Sequence, residues 1–139
     1  MPAPKIPLGA AQFLESHAIC GNVLANFDWG EYLMWRTSKR GCKVFFDGRY
    51  DLVYPQSVVD DFVALATGKG DADAILDRYP HEFVLTDPGS RIDRTIAARP
   101  DRWRMIYSDP DSVLYARSNL PAASISPERG KSNAPYAFP

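Results

Sequence analysis

The sequence predicts an α/β fold: a small, mainly parallel sheet of about five strands with flanking helices and a C-terminal antiparallel hairpin. Apolar stretches of strand length alternate with amphipathic stretches of helix length, the pattern of βαβ units. The first three strand-like stretches each run into an aspartate. The last two are separated only by Asp109-Pro110-Asp111, a hairpin signal.

Residues 1–7 contain three prolines and are expected to be irregular. From Leu8 to Ile19, apolar residues at Leu8, Ala11, Phe13, Leu14 and Ala18 predict a short amphipathic helix. Gly21-Asn22 ends it, and Val23–Phe27 reads as a strand. Asp28–Ser38 reads as a helix, with Asp28 at its N-cap and Glu31 three residues on, an acidic variant of the capping box. Lys39, Arg40 and Gly41 close that helix with positive charge and a flexible residue. Lys43–Asp47 is the second strand and residues 48–55 a loop.

Gln56–Gly68 follows as a helix with Val58, Val59, Phe62, Leu65 and Ala66 inward, and a glycine-rich break at residues 68–71 separates it from a short helix over Ala72–Pro80. Glu82–Thr86 is the third strand, stopped by Asp87-Pro88-Gly89. Ser90 is placed to cap a helix reaching Pro100, and Trp103–Ser108 and Ser112–Arg117 form the hairpin. Beyond it the chain turns rich in proline, serine and alanine. One α/β domain over residues 8–118 is therefore expected, with residues 119–139 as a flexible or loosely docked tail.

Bulk properties exclude several functions. A formal net charge of −1 offers no global field for nucleic acid, so no nucleic-acid partner is expected. No apolar run approaches the roughly 18–20 residues that span a bilayer, and the N-terminus lacks the apolar stretch of a signal peptide. Two cysteines without a Cys-x-x-Cys pair, together with isolated His17 and His81, leave too few ligands for a zinc site. Nucleophile elbows, phosphate loops, dinucleotide glycine fingerprints and metalloprotease helices are not found. Neither a cofactor nor a metal is expected, and no residue is assigned a catalytic role.

The residues that draw attention are Asp28, Asp47 and Asp87, each at a strand end. Ligands of open α/β sheets bind outside the carboxyl ends of strands. If the strands are parallel, these carboxylates share one edge with Arg49 and Tyr50, forming a polar site for a cation, an amine or a hydroxyl-bearing ligand. The competing explanation is that aspartate is a preferred cap and turn former, above all at Asp87-Pro88-Gly89. An Asp28–Arg49 ion pair tying strand ends together is a further structural reading. Trp29, Trp35, Trp103 and the tyrosines either stack on sugar or pack the core. Cys20 and Cys42 precede the first two strands, and neighbouring strands lie about 4.8 Å apart, so a Cys20–Cys42 disulfide is feasible alongside two buried thiols.

The stretches from Gly21 to Pro55, Ile75 to Asp87 and Trp103 to Arg117 resemble a domain at the C-terminal end of bacterial polytopic membrane proteins. Those proteins are similar to GT-C class glycosyltransferases, which use lipid-linked sugars. The resemblance covers residues 9–118 and rests on the Phe27-Asp28-Trp29-Gly30 run, on Phe45-Phe46-Asp47-Gly48-Arg49, and on the closing Trp-Arg strand pair. Residues 27–32 are also similar to the WWDYG run of oligosaccharyltransferase catalytic subunits, departing from it at Phe27, Trp29 and Glu31. The resemblance implies a non-catalytic domain on the extracytoplasmic (periplasmic) face, partnered by the membrane-embedded part of a longer protein. There it would assist saccharide or acceptor binding through Asp28, Trp29, Asp47, Arg49, Tyr50 and Asp87. The alternatives are a purely structural or assembly module and a free-standing carboxylate- or metal-dependent hydrolase.

Overall fold

The computed structural model describes residues 7–17, 19, 21–25, 29, 43–45, 56–69, 71–78 and 82–130. Helix α1 (Leu8–Ser16) leads into β1 (Asn22–Ala25), and β2 spans Lys43–Phe45. Next come α2 (Gln56–Thr67), α3 (Ala72–Arg78), β3 (Phe83–Thr86) and α4 (Arg91–Ala97). The hairpin β4 (Trp103–Ser108) and β5 (Val113–Arg117) is followed by a 3₁₀ turn at Pro121–Ser124 and a two-residue strand, β6 (Glu128–Arg129).

The strand order is β2-β1-β3-β5-β4-β6. β1 pairs in parallel with β2 and β3, as the strand–helix alternation predicts. The sheet as a whole is mixed rather than mainly parallel, because β5 lies antiparallel between β3 and β4. A hairpin must place one of its strands against the existing sheet, and here the second strand fills that position.

Both sheet faces are covered, so the strands alternate between two cores. Val23, Phe83, Leu85, Leu114 and Ala116 pack with Ala10, Ala11, Phe13 and Leu14 of α1. Leu24, Val84, Val113 and Tyr115 pack on the other face with Leu65 of α2, Ile75 and Leu76 of α3, and Ile92 and Ile96 of α4.

A β-bulge interrupts the alternation in β4: Met105 pairs with Tyr115, but Tyr107 pairs with the adjacent Leu114. Ile106 and Tyr107 consequently both join the α1-side core, whereas Trp103 and Met105 lie on the other side. Helix α2 ends in a Schellman motif, with Gly68 at φ 75° and the Lys69 N–H donating to the Ala64 carbonyl at 2.8 Å.

Of the tail expected over residues 119–139, residues 119–130 are described, and they dock against the domain. Ala123 is buried, and β6 pairs in parallel with the end of β4 through Tyr107–Glu128 and Ser108–Arg129. Among the described residues, no helix is long and apolar enough to cross a membrane.

Candidate functional site

The carboxyl ends of β1, β2 and β3 face the same way because the strands are parallel and in register, with Leu24 beside both Phe45 and Val84. The antiparallel pairing of Thr86 with Val113, and of Val113 with Ser108, brings the β4–β5 turn to the same edge.

At β3 the edge is built by Asp87-Pro88-Gly89-Ser90. Gly89 has φ 78° and the Ser90 N–H donates to the Asp87 carbonyl at 3.2 Å, the turn that Pro-Gly favours. Ser90 caps α4 as the sequence predicts, its hydroxyl accepting from the Asp93 N–H at 3.2 Å. The same hydroxyl lies 3.0 Å from Oγ1 of Thr86, which is buried. Asp93 ties the arrangement down: Oδ2 accepts from the Gly89 N–H at 2.7 Å and Oδ1 from the Tyr115 hydroxyl at 2.6 Å. Burial, then the hydrogen bond to Asp93, pushes the Tyr115 hydroxyl pKa far above its ordinary value, so this phenol stays a donor at physiological pH. Ser90→Ala is expected to cost about 1 kcal/mol, the usual cost of a lost N-cap, read from urea unfolding.

The β4–β5 turn holds a buried carboxylate. Asp109 Oδ1 accepts the N–H groups of Asp111 and Ser112, both at 2.7 Å, and Oδ2 accepts the Tyr107 hydroxyl at 2.5 Å. Aspartate at the first position with proline second is ordinary turn chemistry. The added feature is the tyrosine two residues upstream, which the bulge turns onto the α1 side. Burial, then the bond to Asp109, raises the Tyr107 hydroxyl pKa far above its usual value.

Of the residues singled out from sequence, Asp87 lies half-buried at this edge. Trp29 is 4% exposed and belongs to the α1-side core, so the packing explanation describes it and its ring is not a face open to solvent. Asp28, Asp47, Arg49 and Tyr50 lie outside the described residues, as do Cys20 and Cys42. Asn22 pairs with Lys43, so β1 and β2 begin at the same end of the sheet. Among the described residues, no group of His, Cys, Asp or Glu is placed to hold a metal ion.

Two features at the opposite, amino end were not apparent from sequence. One is an open cleft of about 350 Å³, with Ile19, Phe83, Leu120, Pro121 and Ile125 among its walls and His17 and Glu82 as its ionisable groups. Its lining comes from distant segments, and only docking of the 3₁₀ turn assembles them. The other is an ionic array: Asp73 receives Arg99 at 2.6 Å and Arg102 at 2.9 Å, and Asp77 receives Arg102 at 2.7 Å and Arg117 at 3.5 Å.

The hydrogen bond from Arg99, and the charges of Arg99 and Arg102, hold the Asp73 pKa below its ordinary value; the hydrogen bond from Arg102 does the same for Asp77. Lowered carboxylate values mean that the unfolded chain takes up protons first. This contribution to stability is complete above the ordinary value of 3.8 and is lost as pH falls through the lower folded values. Both carboxylates are nearly half exposed, so water screens the effect. The double variant Asp73→Asn/Asp77→Asn is expected to flatten the acid limb of stability against pH by at most about two protons, measured by urea unfolding across that range.

No family model, curated protein or solved structure matches this chain. The geometry itself is therefore the basis for a functional reading.

Proposed function

We propose that this chain is a non-catalytic extracytoplasmic domain of a membrane glycosyltransferase-like protein, which helps to bind or position a saccharide or acceptor at the carboxyl edge of the sheet. The observation that carries this reading is the parallel pairing of β2, β1 and β3. The three strands end at one common edge, the edge at which open α/β sheets bind ligands, and in the sequence Asp28, Asp47 and Asp87 come after β1, β2 and β3. The resemblance of residues 9–118 to the extracytoplasmic domains of such proteins supports the same reading. Asp28, Asp47 and Arg49 would hold polar groups of the ligand and Tyr50 would offer a flat face, beside Asp87.

The test is NMR titration of the chain with saccharides and with acceptor peptides. Saturable shifts are expected at the amides of Thr86, Asp87 and Ser90, with Glu82, Phe83 and Ser118 at the other end unchanged. Shifts confined to the amino-end cleft, or none at all, would remove the proposal.

The alternative of a structural or assembly module also draws on an observation. Among the described residues, every buried side-chain nitrogen or oxygen has a hydrogen-bond partner, so none waits for a ligand. Silence at every edge amide in the same titration favours this second reading.

A further inference from the structure

We propose that Tyr107 is a shared wedge that couples the seating of α1 to the docking of the segment ending at Gly130, so that the incoming and outgoing ends of the described domain detach as one unit. Two glycines far apart in sequence press on the same hydroxyl. A Cβ added to Gly9 would lie 2.0 Å from Tyr107 Oη and 2.5 Å from Asp109 Oδ2. One added to Gly130 would lie 2.3 Å from Tyr107 Oη and 3.3 Å from the Asp109 Cβ. Neither position has a positive φ, so the requirement for glycine is one of space.

The hydroxyl has little room to yield. It is bonded to Asp109, whose other oxygen is held by two backbone N–H groups of the turn. The Phe13 ring of α1 lies 5.3 Å from the Tyr107 ring, and the Gly130 N–H donates to the Ser108 carbonyl at 2.7 Å. Tyr107 is 2% exposed and Asp109 8%, with α1 and the Gly130 segment both pressed against the pair. Lifting either cover admits water to a buried phenol–carboxylate pair and loosens the hydroxyl against which the other rests.

The experiment has two arms, both on the full chain. In the unaltered protein, native-state hydrogen exchange in low urea should show the amides of Ala11 and Gly130 opening with the same urea dependence, as one cooperative unit. Different urea dependences overturn the proposal whatever the variants do. In the second arm, Gly9→Ala is expected to speed exchange at the distant Gly130 amide by about tenfold or more while Val84 and Leu85 are unchanged. Gly130→Ala should do the same to Ala11. At Gly130 the Tyr107 oxygen is the one contact under 3.0 Å, so adding Tyr107→Phe to Gly130→Ala should bring the Ala11 amide back to within about threefold of Tyr107→Phe alone, a non-additivity reserved for groups in contact. Strictly additive effects, or a Gly9→Ala effect confined to α1, would show that the two glycines act separately.

Discussion

Asp109→Ala is expected to destabilise the protein by roughly 3–5 kcal/mol, because it leaves a buried phenol and two turn N–H groups without an acceptor. The carboxylate serves donors on three residues: the Tyr107 hydroxyl, the Asp111 N–H, and both the N–H and the hydroxyl of Ser112. Each is in a buried residue, so water does not readily replace the lost bond. Asp109→Asn should cost less than Asp109→Ala, since the amide oxygen can still accept from the two N–H groups. Its NH₂ then faces a hydroxyl that must rotate to accept. Urea unfolding at neutral pH measures the difference. An alanine variant as stable as the parent would mean that the turn holds its shape without the carboxylate.

Trp103→Ala should be comparably damaging, at about 3–5 kcal/mol, the range for emptying a buried aromatic site. Trp103 is 2% exposed and packs with α3 and α4 beneath the sheet. It also carries an electrostatic load. The Arg117 guanidinium lies 4.6 Å from the ring centroid, donates to the Leu76 carbonyl at 2.9 Å and reaches Asp77. Loss of the indole therefore removes core volume and the platform that orients Arg117 towards α3. Trp103→Phe keeps an aromatic face and should recover more than half of the loss. Equal loss in the alanine and phenylalanine variants would separate the packing from the cation–π contact.

These two residues illustrate what the sequence discloses and what it hides. The hairpin is legible because Asp109-Pro110-Asp111 sits between two alternating strands, and α4 is legible because Ser90 precedes its apolar positions. The parallel pairing of the first three strands agrees with the helix-length stretches that the sequence places between them. The bulge at Ile106 is not legible, since the apolar run Met105-Ile106-Tyr107 looks the same in either register. Nor is the identity of the strand beside β3, because a hairpin can dock by either arm.

The polar hubs were hidden for a different reason. Asp109 and Asp93 look like turn and cap residues, and they are. Their further partners, Tyr107 and Tyr115, arrive from strand positions chosen by register. The docking of residues 119–130 has little signature in composition: among these described residues only Ala123 is fully buried, too small a signal to stand out. At the carboxyl edge, Asp87 lies where its strand end predicts, and Trp29 shows that a large aromatic near a strand end can serve the core instead.

The two-residue β6 has a consequence for behaviour in concentrated solution. An outermost strand offers unpaired N–H and C=O groups to any other extended chain. This one is short, and its residues Glu128 and Arg129 are exposed charges, a poor template for a second molecule. Variants that release the Gly130 segment would uncover the pairing groups of Tyr107 and Ser108 on the longer, largely apolar β4. Their characteristic failure should be slow intermolecular β-pairing, so that growth of larger species on storage precedes any loss of secondary structure.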